Sequence, residues 1–282
     1  MKKYYLRSFL GLVLLAGAVF LRLTPRSGVD ATASVMKSYT PFSQHSVHRR
    51  GCLDPASREL DRDVDVVRLS VNEETTLLIT LRGNDGLEPG FVVTADEGAA
   101  ATQSWMREIG SRTGESFSAT VVLPTAGAYS FVIADRRELT GNEMTAGKGC
   151  FTADFQPTAP PSIQTLPFVW RGTLGVPAAF SVPRRGRDLT LVEVTHTGGD
   201  GVILVSVFED KQYMRSLTVA PKRNARVLVT SRAENARILV EEAANWGREP
   251  LRAMVRSVPH SIAPDAEPAG TAPDRFATAE GE

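Results

Sequence analysis

Alternation, a Pro-Gly corner and renewed alternation run from Ser118 to Ile133, and residues in that order specify two antiparallel strands. Thr120 and Val122 point to one face of the first strand, Val121 and Leu123 to the other. Pro124 removes a ladder donor and ends the strand. Gly127 supplies freedom of φ at the corner, and Tyr129, Phe131 and Ile133 resume a period of two. Such a hairpin commits its surroundings to sheet. It is a packing signature, not a catalytic one.

Upstream, Asp65–Val71 alternates in the same way, and the stretch from Leu87 to Gly98 reads as turn, strand, turn. At Asp65, Leu69, Leu87, Pro89, Val93, Asp96, Gly98, Leu123, Pro124, Gly127 and Tyr129 the chain resembles the bacterial pre-peptidase C-terminal domain, a small jelly-roll-like β-sandwich. It departs from that pattern at Glu88, where an aspartate is usual, and at Arg68, where an aromatic is common. The resemblance covers roughly residues 65–135, a quarter of the chain. It implies an accessory role, since such domains accompany secreted hydrolases, where they assist export, are removed on maturation or bind polymeric substrate.

With 282 residues, 42% apolar and 23% charged, the chain is long enough for two globular domains, each with its own core. The formal net charge of zero hides an asymmetry. Residues 49–154 carry 11 bases and 17 acids, residues 162–260 carry 14 and 9. The halves could attract each other across an interface, or solvated strand faces could simply have drifted apart in charge. The bases are not interleaved with exposed aromatics and no nucleic-acid motif is present, so nucleic acid is not an expected partner.

Lys2, Lys3 and Arg7 precede an uncharged apolar run from Phe9 to Leu21, closed by Arg22, which is the pattern of an export signal. Residues 1–23 are read as a signal peptide or membrane anchor. Ala16-Gly17-Ala18 and Ala31-Thr32-Ala33 both offer small residues at cleavage spacing, so removal and retention both stay open. Positive charge stays inside, which places the bulk of the chain outside the cytoplasm, on the periplasmic or extracellular side of a bacterial envelope. Membrane contact is then expected only through an uncleaved N-terminal segment.

Cys52 and Cys150 bracket the module that carries the resemblance, and in an oxidising compartment a disulfide is the natural reading. First and last strands of a sandwich often lie side by side. Closing a loop of about 100 residues would stabilise by about 4 to 5 kcal/mol in the chain-entropy account. Two free or intermolecular thiols are the alternative.

Three prolines from Gln156 to Ser162 mark a semi-rigid spacer. Beyond it, eight short alternating runs around Val169, Phe180, Leu191, Leu204, Leu217, Val227, Leu239 and Val255 predict a second sandwich. It could be a diverged copy of the first, but no motif is sharp enough to assert a repeat. Ala and Glu content favours helix from Ala233 to Trp246, whereas Ile238-Leu239-Val240 favours strand; we assign strand. The expected architecture is all-β: two tandem jelly-roll-like β-sandwiches after the signal or anchor. Its divisions are a tether over 24–48, sandwiches over 49–155 and 168–258, a Pro-rich linker over 156–167, and a disordered tail over 259–282.

Chemistry-bearing residues are few. Asp61, Asp63 and Asp65 alternate and would share one strand face, where calcium or nearby arginines (Arg58, Arg62, Arg68) would neutralise them. The glycine and distal glutamate of an EF-hand loop are absent. His45-x-x-His48 with Cys52 has a loosely metal-like spacing, but Cys52 is better used in a disulfide. Glu193 and His196 are separated by an odd number, which sets them on opposite strand faces. No nucleophile elbow, phosphate-binding loop or zincin motif occurs, so no enzyme and no cofactor beyond that calcium is expected.

The expected function is therefore a non-catalytic, exported envelope protein that contacts another protein in an assembly. Binding to polysaccharide or extracellular matrix is the alternative. An aromatic platform would favour it, but Trp105, Trp170, Tyr213 and Trp246 sit among strand residues, where core packing is their expected fate. A third reading, partner or inhibitor of a secreted protease, would use the loop from Arg136 to Lys148.

Overall fold

The computed structural model describes residues 39–42, 46–53, 64–103, 105–110, 116–139, 148–167, 169–182, 189–229, 236–245 and 249–260. The export segment, His45, Asp61, Asp63, Trp246 and the tail beyond 260 lie outside the described residues.

Among the described residues the architecture is all-β, apart from two single-turn helices, α1 (Ala99–Thr102) and α2 (Arg136–Leu139). The first nine strands are β1 (Thr40–Pro41), β2 (Val47–Leu53), β3 (Asp65–Val71), β4 (Thr75–Gly83), β5 (Pro89–Ala95), β6 (Met106–Gly110), β7 (Ser116–Leu123), β8 (Gly127–Asp135) and β9 (Gly149–Pro157). The next nine are β10 (Ile163–Thr165), β11 (Val169–Thr173), β12 (Ala178–Val182), β13 (Leu189–Gly198), β14 (Gly201–Glu209), β15 (Gln212–Val219), β16 (Asn224–Val229), β17 (Ala236–Asn245) and β18 (Arg252–His260). Every run read as a strand in the second half is one, including the ambiguous stretch that became β17. Two strands fall in stretches read as connections: β1 lies in the tether and β10 in the linker.

The pairings show what no motif could assert. In the first half the sheets run β1-β3-β8-β5-β6 and β2-β9-β4-β7; in the second they run β10-β12-β17-β14-β15 and β11-β18-β13-β16. Each strand of the second set is the ninth after its counterpart, and orientation repeats as well. β1 joins β3 in parallel as β10 joins β12, and the other pairings within each half are antiparallel. The protein is a tandem structural repeat, and each repeat packs two sheets face to face.

The opening hairpin closes the first repeat. Gly127 takes a φ of +155°, and a β-carbon there would sit 2.4 Å from the Glu97 carbonyl oxygen. Tyr129 turns its hydroxyl back on the corner, donating to the Thr125 carbonyl at 2.9 Å and accepting from the Thr125 amide at 3.3 Å. Its ring meets Trp105 edge-on at 5.6 Å. The Tyr129→Phe substitution should leave the Thr125 amide and carbonyl without this partner and cost about 1 to 2 kcal/mol. Equilibrium denaturation should show a lower midpoint at unchanged slope.

The two repeats meet along one seam. β17 has ten residues and its neighbour β12 only five, so β12 covers Ala236–Val240 and leaves the far end of β17 bare. β6 fills that end in parallel, pairing Glu108 with Ala244 and Ile109 with Asn245, and so fuses the larger sheets of the two repeats into one. Packing follows the same seam. Ile203, Val205, Ile238 and Val240 face the core of the second repeat, while Leu204, Phe208, Leu239 and Ala243 from the same strands join the core of the first. β14 and β17 are therefore buried on both faces.

Candidate functional site

In the smaller sheet of the first repeat, Leu77, Ile79, Leu81, Phe151, Ala153 and Phe155 face the core. The alternate residues face outward in register: Cys52 with Cys150, then Arg50-Thr152-Arg82-Ser116, then His48-Asp154-Thr80-Ser118. Cys52 and Cys150 stand directly opposite on β2 and β9 and are joined as a disulfide across a separation of 98 residues, as the bracketing of the module led us to expect.

Beside the disulfide lies an open hollow of about 500 Å³, with Gly51, Gly83 and Phe151 also at its lining. Arg50 and Arg82 flank it from either side of Thr152. Asn84 accepts the Cys150 amide on its Oδ1 at 2.7 Å, which orients its NH2 group as a spare donor. Arg50 donates to Nε2 of His48 at 3.1 Å, so the other ring nitrogen, Nδ1, carries the proton toward Asp154 at 2.5 Å. No carboxylate lines the hollow among the described residues.

The other sequence candidates separate. Asp65 does not meet a cation cluster: Arg49 of β2 grips it in a fork at 2.8 and 2.9 Å. Asp61 and Asp63 lie outside the described residues, and among those described no three His, Cys, Asp or Glu side chains gather as a metal site. Trp105, Trp170 and Tyr213 pack edge-on against Tyr129, Phe180 and Phe208; Trp105 and Tyr213 are buried, and Trp170 is half-buried against the core of the second repeat. The start of the Arg136–Lys148 loop is tied down, with Arg136 on Glu88 and Arg137 in a fork on Asp135.

Glu193 and His196 face opposite sides of β13, as their odd spacing requires. His196 points inward and is buried, and that burial holds its imidazole below the usual range. Glu193 points outward, yet its side chain is only 5% exposed, because Arg226 and Arg256 stand opposite it on both neighbouring strands and close over it at 2.9 and 2.6 Å. Burial alone would raise its carboxyl; the hydrogen bonds and charges of the two arginines outweigh that and hold it below the usual carboxylate range. The folded state thus favours the ionised form. The stabilisation is present above the unfolded carboxylate pKa and is lost as pH falls through the lower folded one. Glu193→Gln should remove that component, and acid-unfolding curves of the two proteins should converge toward low pH.

A buried charge cluster at the seam escaped sequence reasoning. Arg107 is 2% exposed and lies where β12 has ended and β6 has just begun. There its Nε donates to the Glu242 carbonyl at 2.8 Å, Nη1 donates to the Thr120 carbonyl at 3.1 Å, and Nη1 stands 3.4 Å from Glu241 Oε2. The guanidinium replaces the missing strand. Nearby, Arg237 pairs with Glu74 across the repeats and lies 4.1 Å over the Phe208 ring. One sequence signal existed: Arg107 falls between Trp105 and Ile109 on the inward register of an alternating run.

No family model matches the chain and no curated protein matches it. Among solved structures it is similar to the pre-peptidase C-terminal domain of a Bacillus anthracis collagenase, with 13% identity and a TM-score of 0.29 over 43% of this chain and 95% of that one. It is also similar to the CUB1-EGF-CUB2 segment of human MASP-1/3, with 7% identity and a TM-score of 0.22 over 75% and 99% of the two chains. For the major capsid protein P2 of bacteriophage PM2 the identity is 9% and the TM-score 0.23, over 75% and 96%. The chain is an all-β protein of stacked sheets with a partial structural likeness to a pre-peptidase C-terminal domain.

Proposed function

We propose that the protein is an exported, non-catalytic interaction module of the bacterial cell envelope. The observation that carries this reading is where the charges go. The strongly buried arginine and carboxylates are taken up by contacts within the fold: Arg107 with Glu241, Glu193 with Arg226 and Arg256, Asp135 with Arg137, and Glu242 with Asn245 and the Leu251 amide. The exposed polar side chains stand instead in rows on broad sheet faces that suit contact with another surface. A disulfide-stapled scaffold of this kind fits an oxidising compartment.

Contact with a protein partner is the first reading. Contact with polysaccharide is the second, and the arginine-flanked hollow favours it. Affinity purification of the full chain from envelope extract tests the first: one protein recovered in stoichiometric amount supports it, and none recovered counts against it. Retention on immobilised polysaccharide in the absence of other protein supports the second. Turnover of a glycan or peptide by the purified chain would overturn the non-catalytic reading.

A further inference from the structure

We propose that the hollow beside the Cys52–Cys150 disulfide binds an anionic sugar unit, the carboxylated or sulfated residue of an acidic polysaccharide. The proposal rests on the polysaccharide reading above and names its site and ligand class.

The hollow's donors carry the argument. Arg50 and Arg82 are in register with Thr152 between them, so their α-carbons stand two strand spacings apart, roughly 10 Å, and both side chains are exposed. Arg82 has no carboxylate partner among the described residues, and the described contact of Arg50 is with Nε2 of His48. A guanidinium presents a planar fork that matches a carboxylate or sulfate. Asn84 adds an amide donor held in place by its own bond to Cys150, and Thr152 adds a hydroxyl, both suited to sugar hydroxyls. The disulfide and the flanking glycines offer an apolar floor for the C–H face of a ring.

An acidic peptide is less well served. Peptides are usually taken up at a free strand edge or in a groove with pockets for side chains. Here β9, which carries Thr152 and Cys150, has both edges paired, to β2 and β4, and the nearer free edge of this sheet among the described residues, the outer side of β2, lies beyond Arg50 and away from Thr152 and Arg82. What remains is a shallow array of side-chain donors.

The full chain is titrated with oligogalacturonate, a sulfated oligosaccharide, a neutral maltooligosaccharide and oligoglutamate, using calorimetry or amide shifts. Wild type should bind at least one of the two anionic sugars, with the neutral sugar and oligoglutamate weaker by about tenfold or more. Arg50→Ala/Arg82→Ala should lose about tenfold or more of that affinity while keeping its circular dichroism and disulfide. Arg252→Ala, on the other repeat, should bind as wild type. Wild-type affinity in Arg50→Ala/Arg82→Ala overturns this site but leaves polysaccharide binding standing. Failure of wild type to bind either anionic sugar overturns the site and the polysaccharide reading together. Equal binding of oligoglutamate overturns the assignment to a sugar.

Discussion

Reducing the Cys52–Cys150 disulfide, or replacing both residues by serine, should lower stability by about 4 to 5 kcal/mol. The bond closes a separation of 98 residues, and the denatured chain loses the conformations that such a closure forbids. Its place in the sheet adds a local effect. Among the described residues β2 is an edge strand whose one sheet neighbour is β9, and most of its residues are exposed or half-buried. Without the bridge β2 is held by the β9 ladder and the exposed Arg49–Asp65 fork, so its amides should exchange ahead of the rest of the repeat. Denaturation of oxidised and reduced protein, with hydrogen exchange across residues 47–53, measures both. A loss under about 1 kcal/mol would show that the chain-entropy account does not apply here.

Arg107→Met should cost about 3 to 5 kcal/mol, because it removes the cation from a buried pair and leaves the other charge behind. Glu241 is fully buried at the seam, and the two carbonyls that Arg107 serves belong to Thr120 in the first repeat and Glu242 in the second. The cost should depend on pH in a stated direction. Burial raises the Glu241 carboxyl to about 7, and the Arg107 charge is the main influence that opposes the rise.

A group whose folded pKa lies above its unfolded value binds more protons when folded. Between the unfolded carboxylate pKa and about 7, stability therefore falls as pH rises, and above that it levels off. Glu108, on β6 at the same seam, is raised to about 7 by burial and acts in the same direction. In Arg107→Met the cost should be smaller at pH 5, where Glu241 is protonated with or without the cation, than at pH 8, where Glu241 must either stay ionised without its cation or take up a proton against the solution pH. Adding Glu241→Gln to Arg107→Met should flatten that difference. A cost equal at both pH values would dismiss the electrostatic account of the seam and leave a packing one.

Charge asymmetry between the halves gave only partial guidance to this interface. Arg237 with Glu74 follows the expected sense, a base from the basic half meeting an acid from the acidic half. Arg107 with Glu241 runs the opposite way. Net charge over a hundred residues is set largely by solvated faces, whereas a buried pair is placed by the one position where two strands end and begin.

Local pattern was enough for much of the fold. Alternation at Val67, Leu69 and Val71 or at Val192 and Val194 needs only one buried face to be written into the sequence, and each such run is a strand. The corner at Pro124 and Gly127 was legible because its backbone demands particular residues. The disulfide was legible because two cysteines bracket a module whose end strands pair. The hollow was not, since Arg50, Thr152 and the Arg82-to-Asn84 stretch come from separate segments and become neighbours only through the register of β2, β9 and β4.

By itself, then, the sequence determined the β class, the closing hairpin of the first half, the eight longer strands of the second half and the staple, all of which follow from period, turn chemistry and cysteine placement. The tertiary structure alone decided that the two halves repeat one topology and that they fuse along β6 and β17. The reason is physical. A strand buried on both faces carries apolar residues on both, so β14 and β17, legible as strands, gave no sign in sequence of their second neighbour. Pairing partners far apart in the chain are chosen by shape and unpaired edges, and a strand ten residues long beside one of five leaves such an edge.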